Sequence, residues 1–288
     1  MKETRPQLSI VIPAWGGRHN LSRLIPSLHE ALASLVERYE IVVAGRMRVR
    51  KAHALGATFV RAPGSGYGEI LRAGLAAATG SYVLTMDADF SHRPAFVRTM
   101  WANRDRGEIL IGSRYVPGAH AEMTWGRRIL SRLLNPAYRK LLALPYRDLS
   151  SGFRMFQRES LLDCGLPEAQ GLDVLPEMLV KAYSQGWRIV EIPFWYEGAR
   201  PFTRARMLRL GLGYLGTMGK SFGLRNSVKA ADYDFAGTQI DVGLYVRCSD
   251  PTGFGYQTTE RWGVVVDEAI YRMPERRNKD IIDLDDAE

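Results

Sequence analysis

Cysteines and long apolar runs are scarce in this 288-residue chain. Cys164 and Cys248 stand far apart without the spacing of metal ligands, which favours two buried thiols over a disulfide or a redox site. No run of 18 or more apolar residues occurs, and the opening "MKETRPQLSI" lacks the apolar core of a secretory signal. We therefore expect a globular cytoplasmic protein with no membrane-spanning segment and with a sizeable core.

The net charge of +8 is unevenly distributed along the chain. Residues 231–288 hold 13 acidic and 6 basic side chains, a net charge of −7, so residues 1–230 carry +15. Such an excess suits an anionic partner, although a solvated basic face is the simpler alternative. The sequence lacks a recognised nucleic-acid module and a basic face with interleaved aromatic residues, so we expect no nucleic-acid partner. A phosphorylated substrate or an acidic membrane surface is favoured instead.

Strand-like and helix-like segments alternate through most of the chain. "LSIVIP" precedes leucines at helical spacing over 20–39, and the strand-like "YEIVVAG", "ATFVRAP" and "SYVLTM" follow, with a helix before Gly80. Later segments include the strand-like "EILIGSRY", "GFRMFQ" and "WRIVEIPFWY" and helical patterns over 125–144 and 173–186. This alternation predicts an α/β fold with a Rossmann-like, mostly parallel sheet flanked by helices. Ligands of such sheets bind beyond the carboxyl ends of the strands.

The last third of the chain changes in character. Residues 204–225 have a helical pattern with arginines at its start, which suits either a helix lying on a membrane surface or an ordinary core-packing helix. The segment from 226 to 288 is acidic and contains short β-like runs. We predict one domain over 1–225 and a small, appended β-rich segment over 226–288.

Two carboxylates follow the strand-like "YVLTM" directly. Asp87 and Asp89 are two residues apart, and in an extended chain such residues project to the same side, so both can face one point in a cleft. Hard oxygen ligands suit Mg²⁺ or Mn²⁺, which complete their shells with water and phosphate oxygens. The pair predicts a divalent-metal site that takes a nucleoside diphosphate. A solvated Asp-x-Asp turn is the alternative.

The glycines of "GSGYGEI" fail the dinucleotide-binding fingerprint. The third glycine would have to stand at Glu69 or at Leu71. A plain loop or a contact with a sugar nucleotide is favoured over NAD binding.

Arginines form a second group of candidates, because the guanidinium binds phosphate bidentately. Each alone is typical of a surface residue, but together near strand ends they indicate a phosphate-gathering site. The set comprises Arg114, Arg127, Arg128, Arg154, Arg200, Arg204 and Arg206.

Five stretches in a fixed order resemble the motifs of family 2 glycosyltransferases of the dolichol-phosphate mannosyltransferase type. They are "VIPAW", "GYGEILRAGLAAATGSYVLTMDADFSHRP", "GSRYVPG", "DLSSGFRMF" and "GWRIVEIPFWYEGAR", and the match covers about residues 8–215. The resemblance implies a GT-A fold, a nucleoside-diphosphate sugar donor, a Mg²⁺ or Mn²⁺ ion and a polyprenyl-phosphate acceptor.

The resemblance also implies residue roles. Asp87, Asp89 and Ser91 resemble the metal site, with Asp89 as the direct ligand and Ser91 where many relatives have Gln. The residues that resemble the donor-binding set are Pro13, Ala14, Trp15, Gly66, Asp87, Asp89, Arg200 and Arg206. Those that resemble the acceptor-phosphate set are Arg114, Arg128 and Ser131. The implied catalytic set is Asp89, Arg114, Arg128 and Arg200.

The chain departs from the family at the expected nucleotide site. Relatives usually read "IPTYNE" where this chain has "IPAWGG", and "DDGS" where it has "VVAGRMR". Trp15 could stack on a base, but Ala44 and Gly45 cannot accept hydrogen bonds through side chains. We therefore expect an enzyme that uses a different donor nucleotide from that of its relatives. A non-catalytic binding protein that kept the fold is the alternative.

The acceptor decides whether a general base is needed. A lipid phosphate is already anionic, so we expect a single inverting displacement in which arginines position the reactants. We expect the protein to bind peripherally to the cytoplasmic face of a membrane through residues 204–225. A saccharide hydroxyl would instead require a carboxylate base. Asp148 and Glu177 are the candidates, although structural roles are favoured for both.

Overall fold

A computed structural model describes residues 5–15, 20–46, 52–122, 144–163 and 165–197. It also describes the single positions 136, 140, 219, 244 and 245.

Ten strands and five helices form the described structure. The strands are β1 Leu8–Pro13, β2 Tyr39–Gly45, β3 Thr58–Arg61, β4 Tyr82–Thr85, β5 Ile109–Ser113, β6 His120–Glu122, β7 Arg154–Gln157, β8 Ile189–Pro193, β9 Trp195–Glu197 and β10 Leu244–Tyr245. The helices are α1 Leu21–Ala33, α2 Tyr67–Ala77, α3 Phe96–Ala102, α4 Arg158–Asp163 and α5 Val174–Ser184. Short 3₁₀ turns lie at His53–Leu55 and Arg104–Arg106.

The main sheet has the strand order β10-β8-β5-β7-β4-β1-β2-β3. Every neighbouring pair is parallel except those of β7, which runs antiparallel to both β4 and β5. Strands β6 and β9 form a separate parallel pair. The predicted mostly parallel sheet is confirmed. Its topology brings the carboxyl ends of β1, β2, β4 and β5 and the beginning of β7 to one edge.

Helices cover both faces of the sheet. Alternate residues of β1 point to opposite sides, so that Ile10 and Ile12 join the core beneath α1 and α3 while Val11 joins the core beneath α2 and α5. Leu28 of α1 and Leu179 of α5 are fully buried on the two sides. This three-layer arrangement is the one expected from alternating strands and helices.

Several boundaries differ from those predicted. Helix α1 ends at Ala33 instead of continuing to residue 39. Gly80 does not close a helix, because α2 ends at Ala77 and the chain is already extended at Ala78. Gly80 is needed for close packing, since a Cβ there would lie 2.7 Å from the backbone nitrogen of Ser9. The segment "WRIVEIPFWY" forms two strands, β8 and β9, separated at Phe194.

Other predicted features lie wholly or mostly outside the described residues: the helical patterns over 125–144 and 204–225, both cysteines, and the acidic tail. Within the tail, Leu244–Tyr245 pairs parallel with β8 at the sheet edge, and the domain boundary at 225 stays a prediction. Among the helices that the structure describes, none is both long and apolar enough to cross a membrane.

Gly74 of α2 sets how closely this helix approaches the sheet. A Cβ there would lie 2.5 Å from Cγ1 of Val11. We predict that Gly74→Ala lowers the free energy of unfolding by about 1–3 kcal/mol, because overpacking outweighs the helix propensity gained. Denaturant unfolding would measure the change. Ala76→Leu, at an exposed position of the same helix, is the control and should stay within about 0.5 kcal/mol. A stabilised Gly74→Ala variant would contradict the packing argument.

Candidate active site

The candidate site lies at the sheet edge where β1 and β4 end and β7 begins. The backbone N–H of Ala14 donates to the carbonyl of Ala44, and that of Met86 donates to the carbonyl of Val11, so the chain beyond both strands stays in register. Tyr67, at the start of α2, connects the two strand ends through its ring and its hydroxyl.

Asp87 is held from two directions. The Tyr67 hydroxyl donates to Oδ1 of Asp87 at 3.2 Å, and the backbone N–H of Asp87 donates to Nδ1 of His92 at 3.0 Å. Gly152, just before β7, closes the third side. A Cβ at this glycine would lie 2.9 Å from the Tyr67 oxygen and 3.4 Å from Oδ1 of Asp87. Asp87 therefore contacts neighbours that come from three places in the chain, with Tyr67 and Gly152 beside its carboxylate and His92 at its backbone N–H.

Asp89 is oriented by the turn that follows it. Both the backbone N–H and the hydroxyl of Ser91 donate to Oδ1 of Asp89, at 3.0 and 2.5 Å. Phe90 between them has φ of 63°, in the left-handed region that residues other than glycine rarely adopt. The expectation that the chain is extended at Asp87 and Asp89 is wrong, because β4 ends at Thr85. A turn places them instead.

The two carboxylates fit a hard divalent cation. Both are partly exposed, and among the described residues Oδ2 of Asp89 accepts no hydrogen bond. No group of three or more His, Cys, Asp or Glu within the described ranges is placed to hold a metal ion. A two-carboxylate donor set suits Mg²⁺ or Mn²⁺, which take their remaining ligands from water and phosphate. Ser91 is 1% exposed, and its hydroxyl is engaged by Asp89.

Aromatic and small apolar side chains occupy the strand ends on the predicted donor side. The Trp15 ring packs edge-to-face on Tyr67 at 5.6 Å, and its indole N–H donates to the carbonyl of Ser65 at 3.1 Å. Ala14 and Ala44 are buried, so β1 and β2 end without carboxylates. A base bound here would meet an aromatic surface.

The glycines of the loop before α2 have a packing role. A Cβ at Gly66 would lie 2.2 Å from the carbonyl oxygen of Gln170, and one at Gly68 would lie 2.0 Å from that of Ala169. The backbone N–H of Gly68 donates to the Gln170 carbonyl at 2.8 Å. The segment at 169–170 thus lies directly on the loop, which explains these glycines without a bound nucleotide.

Arg114 follows β5 and forms a buried ion pair. Its Nε and Nη2 donate to the two carboxylate oxygens of Asp148, each at 2.7 Å, and Nη2 also donates to Ser150. The rings of Tyr115 and Tyr196 lie 5.4 and 5.3 Å from the guanidinium carbon. Burial alone would lower the pKa of Arg114, but the Asp148 carboxylate outweighs this effect and raises the pKa above its usual value. The cation is therefore permanent.

Asp148 and Glu191 hold the loop that leads to β7. Burial would raise the pKa of Asp148, yet the charge and hydrogen bonds of Arg114 bring it below its usual value. Glu191 of β8 accepts the backbone N–H groups of Arg147 and Asp148, each at 2.9 Å. Burial raises the pKa of Glu191 despite these bonds.

Both candidate general bases are engaged in structural bonds. Asp148 is fully buried against Arg114. Glu177 of α5 accepts backbone N–H groups of Glu168 and Ala169 and pairs with Lys181 at 3.0 Å. Burial would raise the pKa of Glu177, but these donors lower it. Carboxylates with lowered pKa values are poor proton acceptors near neutral pH.

The predicted arginine set is divided by the structure. Arg154 is fully buried and donates to the carbonyls of Leu149 and Leu175, at 2.8 and 2.6 Å, so in this conformation its guanidinium binds backbone and not a ligand. The remaining members lie outside the described residues and stay predictions, together with Ser131; they are Arg127, Arg128, Arg200, Arg204 and Arg206.

Tyr67 and His92 are the site residues that sequence reasoning missed. Tyr67 stands between two glycines, and His92 lies inside the "SHRP" stretch, where the family resemblance implies no role for it. Tyr67 reaches Asp87 from 20 residues away in the chain, whereas His92 bonds to Asp87 across the turn from five residues away.

Replacing Asp148 would leave a buried, permanent cation. We predict that Asp148→Asn lowers the free energy of unfolding by about 3–5 kcal/mol at pH 7. Because the folded-state pKa of Asp148 lies below its unfolded value, the pair stabilises fully above about pH 4 and the stabilisation is lost as pH falls. The decline of stability below pH 4 should therefore be shallower in the variant.

Denaturant unfolding across pH would measure both effects. Asp163→Asn, at an exposed position in α4, is the matched control and should change stability by no more than about 0.5 kcal/mol. An Asp148→Asn variant as stable as the wild type at pH 7 would show that the pair does not hold this loop.

Comparison with known proteins supports the fold and the family. The sequence model of glycosyl transferase family 2 matches residues 9–165. The polyprenol monophosphomannose synthase of Mycolicibacterium smegmatis is 28% identical over 212 residues, covering 65% of this chain and 76% of that protein. The dolichol-phosphate mannosyltransferase of Pyrococcus furiosus is 30% identical over 215 residues, covering 66% of this chain and 56% of that protein.

A solved structure shares the fold at lower identity. The glucosyl-3-phosphoglycerate synthase of Mycobacterium tuberculosis, solved with Mn²⁺ and UDP-glucose, superimposes with a TM-score of 0.58 at 21% identity. The match covers 76% of this chain and 80% of that one. The family model, which spans more than half of the chain, and this sheet topology agree: the chain belongs to glycosyl transferase family 2 and is a glycosyltransferase with the GT-A fold.

Proposed function

We propose that this glycosyltransferase moves a hexose, mannose or glucose, from a nucleoside diphosphate to a polyprenyl phosphate. The observation that carries the choice of acceptor is the engagement of both candidate bases, Asp148 and Glu177, in structural bonds. An acceptor hydroxyl would need a base, whereas a phosphate oxygen is already anionic. The names of the two curated relatives support the same acceptor class.

The donor half of the proposal rests on the turn after β4. Asp87 and Asp89 would hold Mg²⁺ or Mn²⁺, and Ser91 would keep Asp89 oriented. When bound, the ion would neutralise charge on the leaving nucleoside diphosphate. Trp15 would offer its ring to the base in place of the carboxylates that relatives carry. Pro13 and Ala14 precede it in the chain, and Gly66 follows Ser65, whose carbonyl accepts the Trp15 indole N–H.

The arginines would position the phosphate groups of acceptor and donor. Arg114, Arg128 and Ser131 would bind the acceptor phosphate, and Arg200 and Arg206 the donor phosphates. Arg114 is held in place by Asp148 and Ser150. The phosphate oxygen attacks the anomeric carbon, the bond from that carbon to the diphosphate oxygen breaks, and the electron pair leaves with the nucleoside diphosphate. The anomeric configuration inverts in this single displacement.

Donor binding is the first test. GDP-mannose, UDP-glucose and UDP-GlcNAc would be titrated into the full chain by calorimetry, with and without Mn²⁺. We expect metal-dependent binding of one donor that is lost in Asp89→Ala and kept in the exposed control Asp163→Ala. Absence of binding to all three donors by folded protein would contradict the proposed donor class.

Acceptor choice is tested with the donor so identified. A polyprenyl phosphate in detergent should be glycosylated, while 3-phosphoglycerate, which offers a hydroxyl beside its phosphate, should not. Transfer to 3-phosphoglycerate alone would overturn the lipid acceptor and leave the donor assignment standing.

A lipid acceptor also requires contact with a membrane. We propose that residues 204–225 supply it. Alanine at Arg204, Arg206 and Arg209 should weaken binding to anionic liposomes on the order of 100-fold, since each arginine near such a surface contributes about 1 kcal/mol. Liposome flotation would measure the change.

The control replaces three exposed arginines elsewhere with alanine, namely Arg61, Arg98 and Arg188. It removes the same charge and should bind the liposomes almost as well as the wild type. Equal weakening by both triple variants would show that general charge, and not this segment, mediates attachment.

A further inference from the structure

We infer that His92 is a positioning residue that fixes the Asp87–Asp89 turn, an inference that rests on the proposed metal site. Its Nδ1 accepts the backbone N–H of Asp87 at 3.0 Å. Because Nδ1 is the acceptor, the hydrogen of a neutral ring must lie on Nε2. The imidazole thus anchors the backbone of a candidate metal ligand.

Packing holds the His92 ring in one orientation. His92 is 2% exposed, and its ring stacks on Phe153 with centroids 5.1 Å apart and an interplanar angle of 24°. The ring centroids of Phe194 and Tyr196 lie 5.6 and 5.9 Å from that of His92. These neighbours come from the beginning of β7 and from the β8–β9 segment. Elements distant in sequence therefore determine where Nδ1 points.

Backbone bonds connect the same turn to β9. His92 forms an isolated antiparallel bridge with Tyr196, and the N–H of Glu197 donates to the carbonyl of Ser91 at 3.3 Å. Arg93 forms an ion pair with Glu197. Strand β9 thus fastens the carboxylate turn, and it ends three residues before Arg200 in the chain.

The turn needs this support because its backbone is strained. Phe90 at φ 63° lies in a conformation that costs about 1–3 kcal/mol and persists only where the surroundings impose it. The His92 bond at Asp87 precedes Phe90, and the bridge to Tyr196 follows it. Without the acceptor at His92, the N–H of Asp87 loses its partner and the turn can relax. Metal ligands must be held to within about 0.5 Å, so a relaxed turn should bind the ion poorly.

Two substitutions separate this role from simple packing. His92→Phe keeps an aromatic ring against Phe153 but has no acceptor. His92→Asn loses the ring, yet its side-chain oxygen can take the place of Nδ1. The measurement is the affinity for Mn²⁺ by calorimetry, in the presence of UDP or GDP, together with the melting temperature of each variant.

We expect His92→Phe to weaken Mn²⁺ binding by about 10- to 100-fold, the range found when a partner behind a metal ligand is removed. We expect His92→Asn to stay within about threefold of the wild type although it melts at a lower temperature. The control is His29→Phe in α1, which breaks the bonds of His29 to Tyr39 and Leu55. It should lower the melting temperature without changing Mn²⁺ affinity.

Wild-type affinity in His92→Phe would overturn the inference while leaving the metal site intact. Affinities that fall in the order of melting temperature across the variants would also overturn it, because a packing role predicts that order. If the wild type binds no Mn²⁺ in the presence of UDP and none in the presence of GDP, the proposed function fails and the positioning role fails with it.

Discussion

The buried ion pair between Arg114 and Asp148 is the interaction on which the site depends. It joins the end of β5 to the loop that must bring the chain back into the sheet as antiparallel β7. A charge pair buried this deeply is stable only when its hydrogen bonds are satisfied, and Asp148 accepts from both the side chain and the backbone of Arg114. Glu191 then fixes the backbone of the same loop from β8.

The position of this loop determines what surrounds Asp87. Gly152 follows Asp148 by four residues and packs against Tyr67 and Asp87, where a Cβ would be crowded. Phe153, the next residue, supplies the ring on which His92 stacks. The ion pair therefore acts on the carboxylate turn through one glycine and one aromatic side chain, without contacting it.

The same bonds influence the chemistry that the site can perform. The Asp148 carboxylate neutralises a buried guanidinium and has a lowered pKa, so it is a poor general base. Glu177 likewise has a lowered pKa because it binds the backbone of the segment beside α2. An acceptor that brings its own negative charge suits a site built in this way. The ends of β1 and β2 lack carboxylates at Ala14 and Ala44, and under the proposed function Trp15 would offer its ring to the donor base instead.

Local patterns in the sequence determined the strands, most helices and the existence of an acidic pair after β4, because apolar periodicity and turn residues act over a few positions. The sequence resemblance further indicated the family, which the comparisons confirm. Tertiary structure alone decided how the pair is oriented, why Gly66 and Gly80 are glycines, and that Arg114 binds Asp148. Each of these depends at least in part on contacts between segments far apart in the chain, such as Tyr67 at Asp87 and Tyr196 at His92, and no local spacing encodes such contacts.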